Sequence, residues 1–185
     1  MKRIILSITL ILVLLSSVAF ADLIAPTVNP NVEEVEVVLQ CSRAIRYNNT
    51  FRVFKNAKGD YVYPISYNGS TYLPIRAISA LFSEGITWDG EKNTVFLGKG
   101  DVDTTACEES DVRFYVPVEK VQAKIIKDRK ISYKNKTQTF KDANGKVVYP
   151  ISYQGSTYLP VRAISNLFGA KIDYKDILDI VDITK

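Results

Sequence analysis

The 185-residue sequence contains no histidine. That excludes Ser–His and Cys–His nucleophile pairs and every histidine-ligated metal centre. No second apolar run of about 18 residues follows the first twenty-one positions, so no membrane span is expected in the mature chain. Charge of either sign is not in strong excess: 24 basic residues face 20 acidic ones. Without Lys2 and Arg3 the count is 22 against 20, too even a balance for a nucleic-acid field. The aromatic residues are also not interleaved with a basic cluster, so no nucleic-acid partner is expected.

What is present begins with an export signal. Lys2 and Arg3 form a basic start, Ile4 to Leu15 an apolar run, and Ala19-Phe20-Ala21 a small-x-small cleavage site. Cleavage is expected after Ala21, with residues 22–31 as an extended lead-in. The expected location is outside the cell, free or associated with the cell wall. Retention of the leader as an uncleaved anchor is the competing reading. After export, a bond between Cys41 and Cys107 becomes chemically permitted. It would tie the first strand of the chain to a later connecting segment and stabilise by roughly 4 kcal/mol on loop-entropy grounds.

The chain is organised around a repeat. From Tyr63 it reads YPISYNGSTYLPIRAISALF, and from Tyr149 it reads YPISYQGSTYLPVRAISNLF, an offset of 86 residues. Between 56–82 and 142–168, 20 of 27 positions are identical without a gap. The match extends more weakly over 32–99 and 118–185, including Arg43/Arg129, Ile45/Ile131 and Tyr47/Tyr133. These spans are read as two copies of one folding unit. Residues 100–117 join them and hold five acids in 101–112, which reads as a solvated acidic linker.

Within each copy, period-two alternation marks strands at Val35–Leu39, Ile45–Tyr47 and Tyr61–Tyr67, with equivalents in the second copy. Asn68-Gly69 is a strong hairpin signal, and Gln154-Gly155 keeps the glycine. Pro74 and Pro160 fit the first turn of a helix. Ile75, Ala77, Ile78, Leu81 and Phe82 then cover one arc of it. Gly85 and Gly169 are expected to end the two helices, and a last hairpin follows each. A lone short helix with an apolar face needs a sheet to cover it. The expected fold is therefore α+β: two tandem repeats, each an antiparallel sheet of about five strands curled around one helix.

GSTYLPIRAISALF followed by ITWDGEKNTVFLG resembles the N-terminal stalk domain of copper amine oxidases. The resemblance covers both copies and implies that same sheet-on-helix fold. It implies no oxidase activity, because the family's copper and modified-tyrosine cofactor belong to a separate domain whose ligands are histidines. Copy two departs at its end, where Tyr174-Lys175 replaces Trp88-Asp89 and Asp176 replaces Gly90.

Glu33/Glu119 is the only acid pair identical in both copies, so no paired-carboxylate site is indicated. Asp101-Val102-Asp103 and Asp89–Asn93 lack the ligand spacing of a calcium loop. No enzyme, metal or cofactor is expected. Two sets of residues stand out as binding candidates. Arg76 and Arg162 carry a planar donor fork suited to an acidic group, or clamp the helix start. Tyr63, Tyr67 and Tyr72, with Tyr149, Tyr153 and Tyr158, could stack on sugars or form half-buried core. The function expected is a non-catalytic module acting by binding or spacing at the envelope or outside the cell. The alternative is a cell-wall polysaccharide binder using those tyrosines and arginines. An extracellular protein is a second possible partner class, and an unpaired edge strand would permit self-association.

Overall fold

The computed structural model describes residues 29–111 and 118–185; the leader and its cleavage site lie outside them. The first copy comprises β1 (Val32–Leu39), β2 (Ala44–Tyr47), β3 (Thr50–Lys55), β4 (Tyr61–Val62), β5 (Ile65–Tyr67) and β6 (Ser70–Pro74). It continues with helix α1 (Ile75–Leu81), β7 (Ile86–Asp89) and β8 (Thr94–Leu97). A 3-10 turn (Thr104–Ala106) and β9 (Cys107–Glu109) lie in the linker. The second copy begins with β10 (Glu119–Ile126), β11 (Lys130–Tyr133), β12 (Lys136–Thr137), β13 (Phe140–Lys141), β14 (Val147–Val148) and β15 (Ile151–Tyr153). It ends with β16 (Ser156–Pro160), α2 (Val161–Leu167), β17 (Lys171–Lys175), a 3-10 turn (Asp176–Leu178) and β18 (Ile180–Thr184).

Local chemistry sets these boundaries. Asn68 and Gly69 have φ of 47° and 73°, and Gln154 and Gly155 have 45° and 75°, as a type I′ hairpin requires. Each helix starts directly after its proline. Each is closed two residues past Leu81 or Leu167 by a left-handed residue: Ser83 at φ 56° and Gly169 at φ 74°. The amides of Glu84 and Ala170 then reach back to the carbonyls of Ser79 and Ser165, at 2.8 and 2.9 Å, closing a Schellman pair. Gly169 thus ends α2 as expected, but Gly85 does not end α1. Gly85 is instead a close crossing, where any Cβ would collide with the carbonyl of Gly100.

The architecture corrects the expected fold class. The protein is mostly β, and neither copy wraps a sheet of its own around its own helix. Six strands, in the order β1-β10-β15-β16-β6-β5, close into an antiparallel barrel drawn equally from both copies. Outside the barrel, β2 of copy one pairs in parallel with β18 of copy two, and β11 of copy two with β8 of copy one. The equivalent residues Leu73 and Leu159 are paired with each other, as are Glu36 and Gln122. A pseudo-twofold axis therefore passes through the barrel wall at both points. The helices are seven residues long, too short to cover a sheet alone. Their apolar faces are buried by strands of both copies: α1 packs on β6 and β16, and α2 on β6, β16 and β17.

Two cores result. The barrel encloses Val37, Ile65, Tyr72, Ala123, Ile125, Ile151 and Tyr158. The larger core joins both helices to the mixed sheets, and at its centre Phe82 and Phe168 meet with ring centroids 4.9 Å apart. Tyr47 and Tyr133 flank them edge-on at 5.5 and 5.3 Å. This row of four aromatics crosses the pseudo-twofold axis, and each ring pair adds about 0.5–1.5 kcal/mol beyond its burial. Arg46 and Asp182 tie β2 to β18 with a two-pronged ion pair.

The linker is also more structured than its composition suggests. Its strand β9 adds to β3, and Glu108 and Glu109 pair with Lys55 and Arg52 at 2.7 and 3.0 Å. The acids neutralise copy-one cations rather than facing water alone.

Ser83 marks a testable strain. A residue with a Cβ at positive φ costs about 1–2 kcal/mol, and glycine pays part of that back in lost entropy. Ser83→Gly should therefore stabilise the protein by about 0.5–1 kcal/mol in urea unfolding, and Gly169→Ser should destabilise it. No change in either variant would contradict the left-handed helix ends.

Candidate functional site

The sequence-derived candidates are scattered rather than gathered. Tyr72 and Tyr158 are 2% and 1% exposed and point into the barrel, where neither can stack on a ligand. Burial pushes the Tyr72 phenol up to about 12 and raises that of Tyr158 as well. Tyr67 and Tyr153 are half-buried and lean edge-on against them, each with centroids 6.4 Å away. Tyr63 is half-buried beside Cys41, and burial raises its phenol too. Tyr149 alone of the six is exposed. The six share no continuous exposed strip. The alternation of β6 explains why: Tyr72 faces the barrel while its neighbour Leu73 faces the helix core.

Arg76 and Arg162 stand at equivalent places in the first turn of each helix, on the outer face. Arg76 pairs with Asp103 of the linker at 3.0 Å. Arg162 lies over the Tyr174 ring, 5.3 Å from its centroid. Both therefore have structural partners. Cys41 and Cys107 are free thiols. Cys41 borders a small pocket with Phe54 and Tyr63, and Cys107 packs against the helix core.

A large concavity lies between the copies. A groove of about 890 Å³ runs from the β3–β4 turn (Lys55 to Asp60) and the start of α1 to the β15–β16 hairpin. Arg76, Trp88, Arg129, Ser152, Ser156 and Thr157 line it. Trp88 is 51% exposed, and the Arg129 guanidinium covers one face of its ring, 4.9 Å from the centroid. Arg129 Nη1 donates to Thr157 Oγ1 at 2.8 Å, and its Nε donates to Asn93 Oδ1 at 3.3 Å. Among the described residues it has no ion pair. Burial away from water lowers its pKa, opposed by the neighbouring charge of Asp128.

The pseudo-twofold mate of this place carries different side chains. There Tyr174 replaces Trp88, and its ring is half-buried under Arg162. Burial raises its phenol, against the pull of the Arg162 and Arg43 guanidinium groups. Arg43, the mate of Arg129, is bonded on three sides. Its Nε donates to Asp179 Oδ1 at 2.8 Å, and its Nη1 to Ser66 Oγ and Thr71 Oγ1, both at 2.9 Å.

Trp88 and Arg129 were not among the residues singled out in the sequence. Two signals point to them: Trp88 is the one tryptophan, at a position where the copies differ, and Arg43/Arg129 is one of only two arginine pairs shared by the copies. Among the described residues, no group of three or more acidic or cysteine side chains could hold a metal ion. The acids of the two loops considered for calcium are spent locally. Asp89 binds Lys92, and Asp103 binds Arg76 and Thr105. No family model, curated protein or solved structure matches the chain.

The thiols give a direct check of this geometry. Burial pushes the Cys107 thiol up to about 12, so almost none is thiolate at pH 8. Folded, unreduced protein should leave Cys107 unmodified by iodoacetamide at pH 8, and urea should expose two reactive thiols. Zero thiols in urea would show a bridge instead.

Proposed function

We propose that the protein is a non-catalytic binding module, exported by its leader, that acts at the cell envelope or outside the cell on a polysaccharide. The observation that carries this reading is the groove between the copies. Saccharide sites combine an aromatic platform for the ring with hydroxyl and charged groups for its edges. Here Trp88 offers an open ring face beside Ser152, Ser156, Thr157 and Gln154. This replaces the repeated tyrosines as the contact surface, because two of them are interior and three are half-buried. Arg76 remains part of the wall. The lack of histidine removes histidine-dependent chemistry from the groove. The resemblance to the stalk domain agrees with this non-catalytic role.

The test is retention on insoluble cell-wall polysaccharide. Wild-type protein lacking residues 1–21 should sediment with it, and Trp88→Ala should lose at least about tenfold in affinity, since stacked aromatics carry about 1–3 kcal/mol. Retention equal in both proteins would remove the groove as the site. No retention of the wild type would contradict the proposed function.

A further inference from the structure

The internal symmetry supplies a comparison within one molecule. Arg43 and Arg129 occupy equivalent positions, and the backbone around them is the same. The Ala44 amide donates to the Asp179 carbonyl at 3.0 Å, and the Lys130 amide to the Asn93 carbonyl at 2.9 Å. Asp179 and Asn93 share the left-handed conformation, at φ 49° and 45°. What differs is the side-chain chemistry. In one half the guanidinium is neutralised by the Asp179 carboxylate and holds both Ser66 and Thr71. In the other, a neutral amide stands where the carboxylate would be. Of the two equivalent hydroxyls only Thr157 bonds the guanidinium among the described residues, while Ser152 lies on the groove wall.

We infer that the groove takes a carboxylate-bearing saccharide chain, in which one carboxylate supplies Arg129 with the counter-charge that Asp179 supplies to Arg43, while a neighbouring sugar ring stacks on the open face of Trp88. This rests on the polysaccharide reading above and names its chemical class. A half-buried guanidinium without a counter-ion is costly, and a ligand carboxylate supplies the charge-assisted bond that the mate obtains internally. Asp128, its chain neighbour, forms no ion pair with it among the described residues. Lys58 adds a second cation that has no ion pair among the described residues, and Asp60 is the single acid on the same wall. A neutral sugar would leave Arg129 uncompensated.

The experiment compares an oligogalacturonate with its fully methyl-esterified form, read by Trp88 fluorescence and calorimetry. The acid should bind wild type at least about tenfold more tightly than the ester. Arg129→Gln should abolish that preference. Asn93→Asp should do the same by supplying an internal carboxylate, and it keeps the fold because Asp179 already occupies this conformation in the mate. Its thermal unfolding should not fall, so this arm decides even if Arg129→Gln does not fold. Equal binding of acid and ester, or Asn93→Asp with wild-type affinity for the acid, would overturn the inference and leave the groove reading intact. Binding of neither form would overturn both.

Discussion

Phe82 and Phe168 are the same residue of the repeat, and they pack on each other at the pseudo-twofold axis. The rest of the structure follows from that contact. A seven-residue helix presents only a few apolar side chains, and each helix packs them on strands of both copies. Bringing the two helix ends together gives each the partner's phenylalanine beside a tyrosine of its own copy. The price is that the flanking strands must cross over: β2 to β18, and β11 to β8. The same exchange brings β1 against β10 and β6 against β16, and so closes the barrel. One core contact thereby turns a tandem repeat into an interlocked body.

Interlocking also makes the groove. Its walls come from both copies, so neither half alone forms it. Duplication produced two such places, and small sequence differences set them on separate courses. Tyr174, Asp179 and Arg162 fill one from within. In the other Trp88 is exposed, and Arg129 bonds Asn93 and has no ion pair among the described residues. Symmetry fixes the scaffold, and departures from symmetry mark where a ligand has room.

Much of the local structure was legible in the sequence. The glycine hairpins, the proline helix starts, the period-two strands and the apolar arc from Ile75 to Phe82 all follow from side-chain chemistry at neighbouring positions. Strand partners do not. Ile45 and Ile131 carry the same pattern, so a strand beside either copy's last hairpin satisfies it equally well. Only the shared core selects the exchanged pairing, and that contact lies 86 residues apart in sequence. The tyrosines show the same limit, because alternation separates two faces without saying which one is interior. The arginines singled out by motif were Arg76 and Arg162, since they lie in the strongest identity block. Arg129 lies in a weaker one, and its significance comes from what Asn93 lacks.

The most direct test of the interlocked core uses Trp88 as a reporter in copy one for damage made in copy two. Phe168→Ala removes about 3–5 kcal/mol of core packing. Trp88 fluorescence and far-ultraviolet circular dichroism should give coincident urea transitions in both proteins, with the variant's single midpoint lowered for both signals. A Trp88 transition that stays at the wild-type midpoint while dichroism shows a separate, earlier step would mean that the copies fold independently, and would contradict this account.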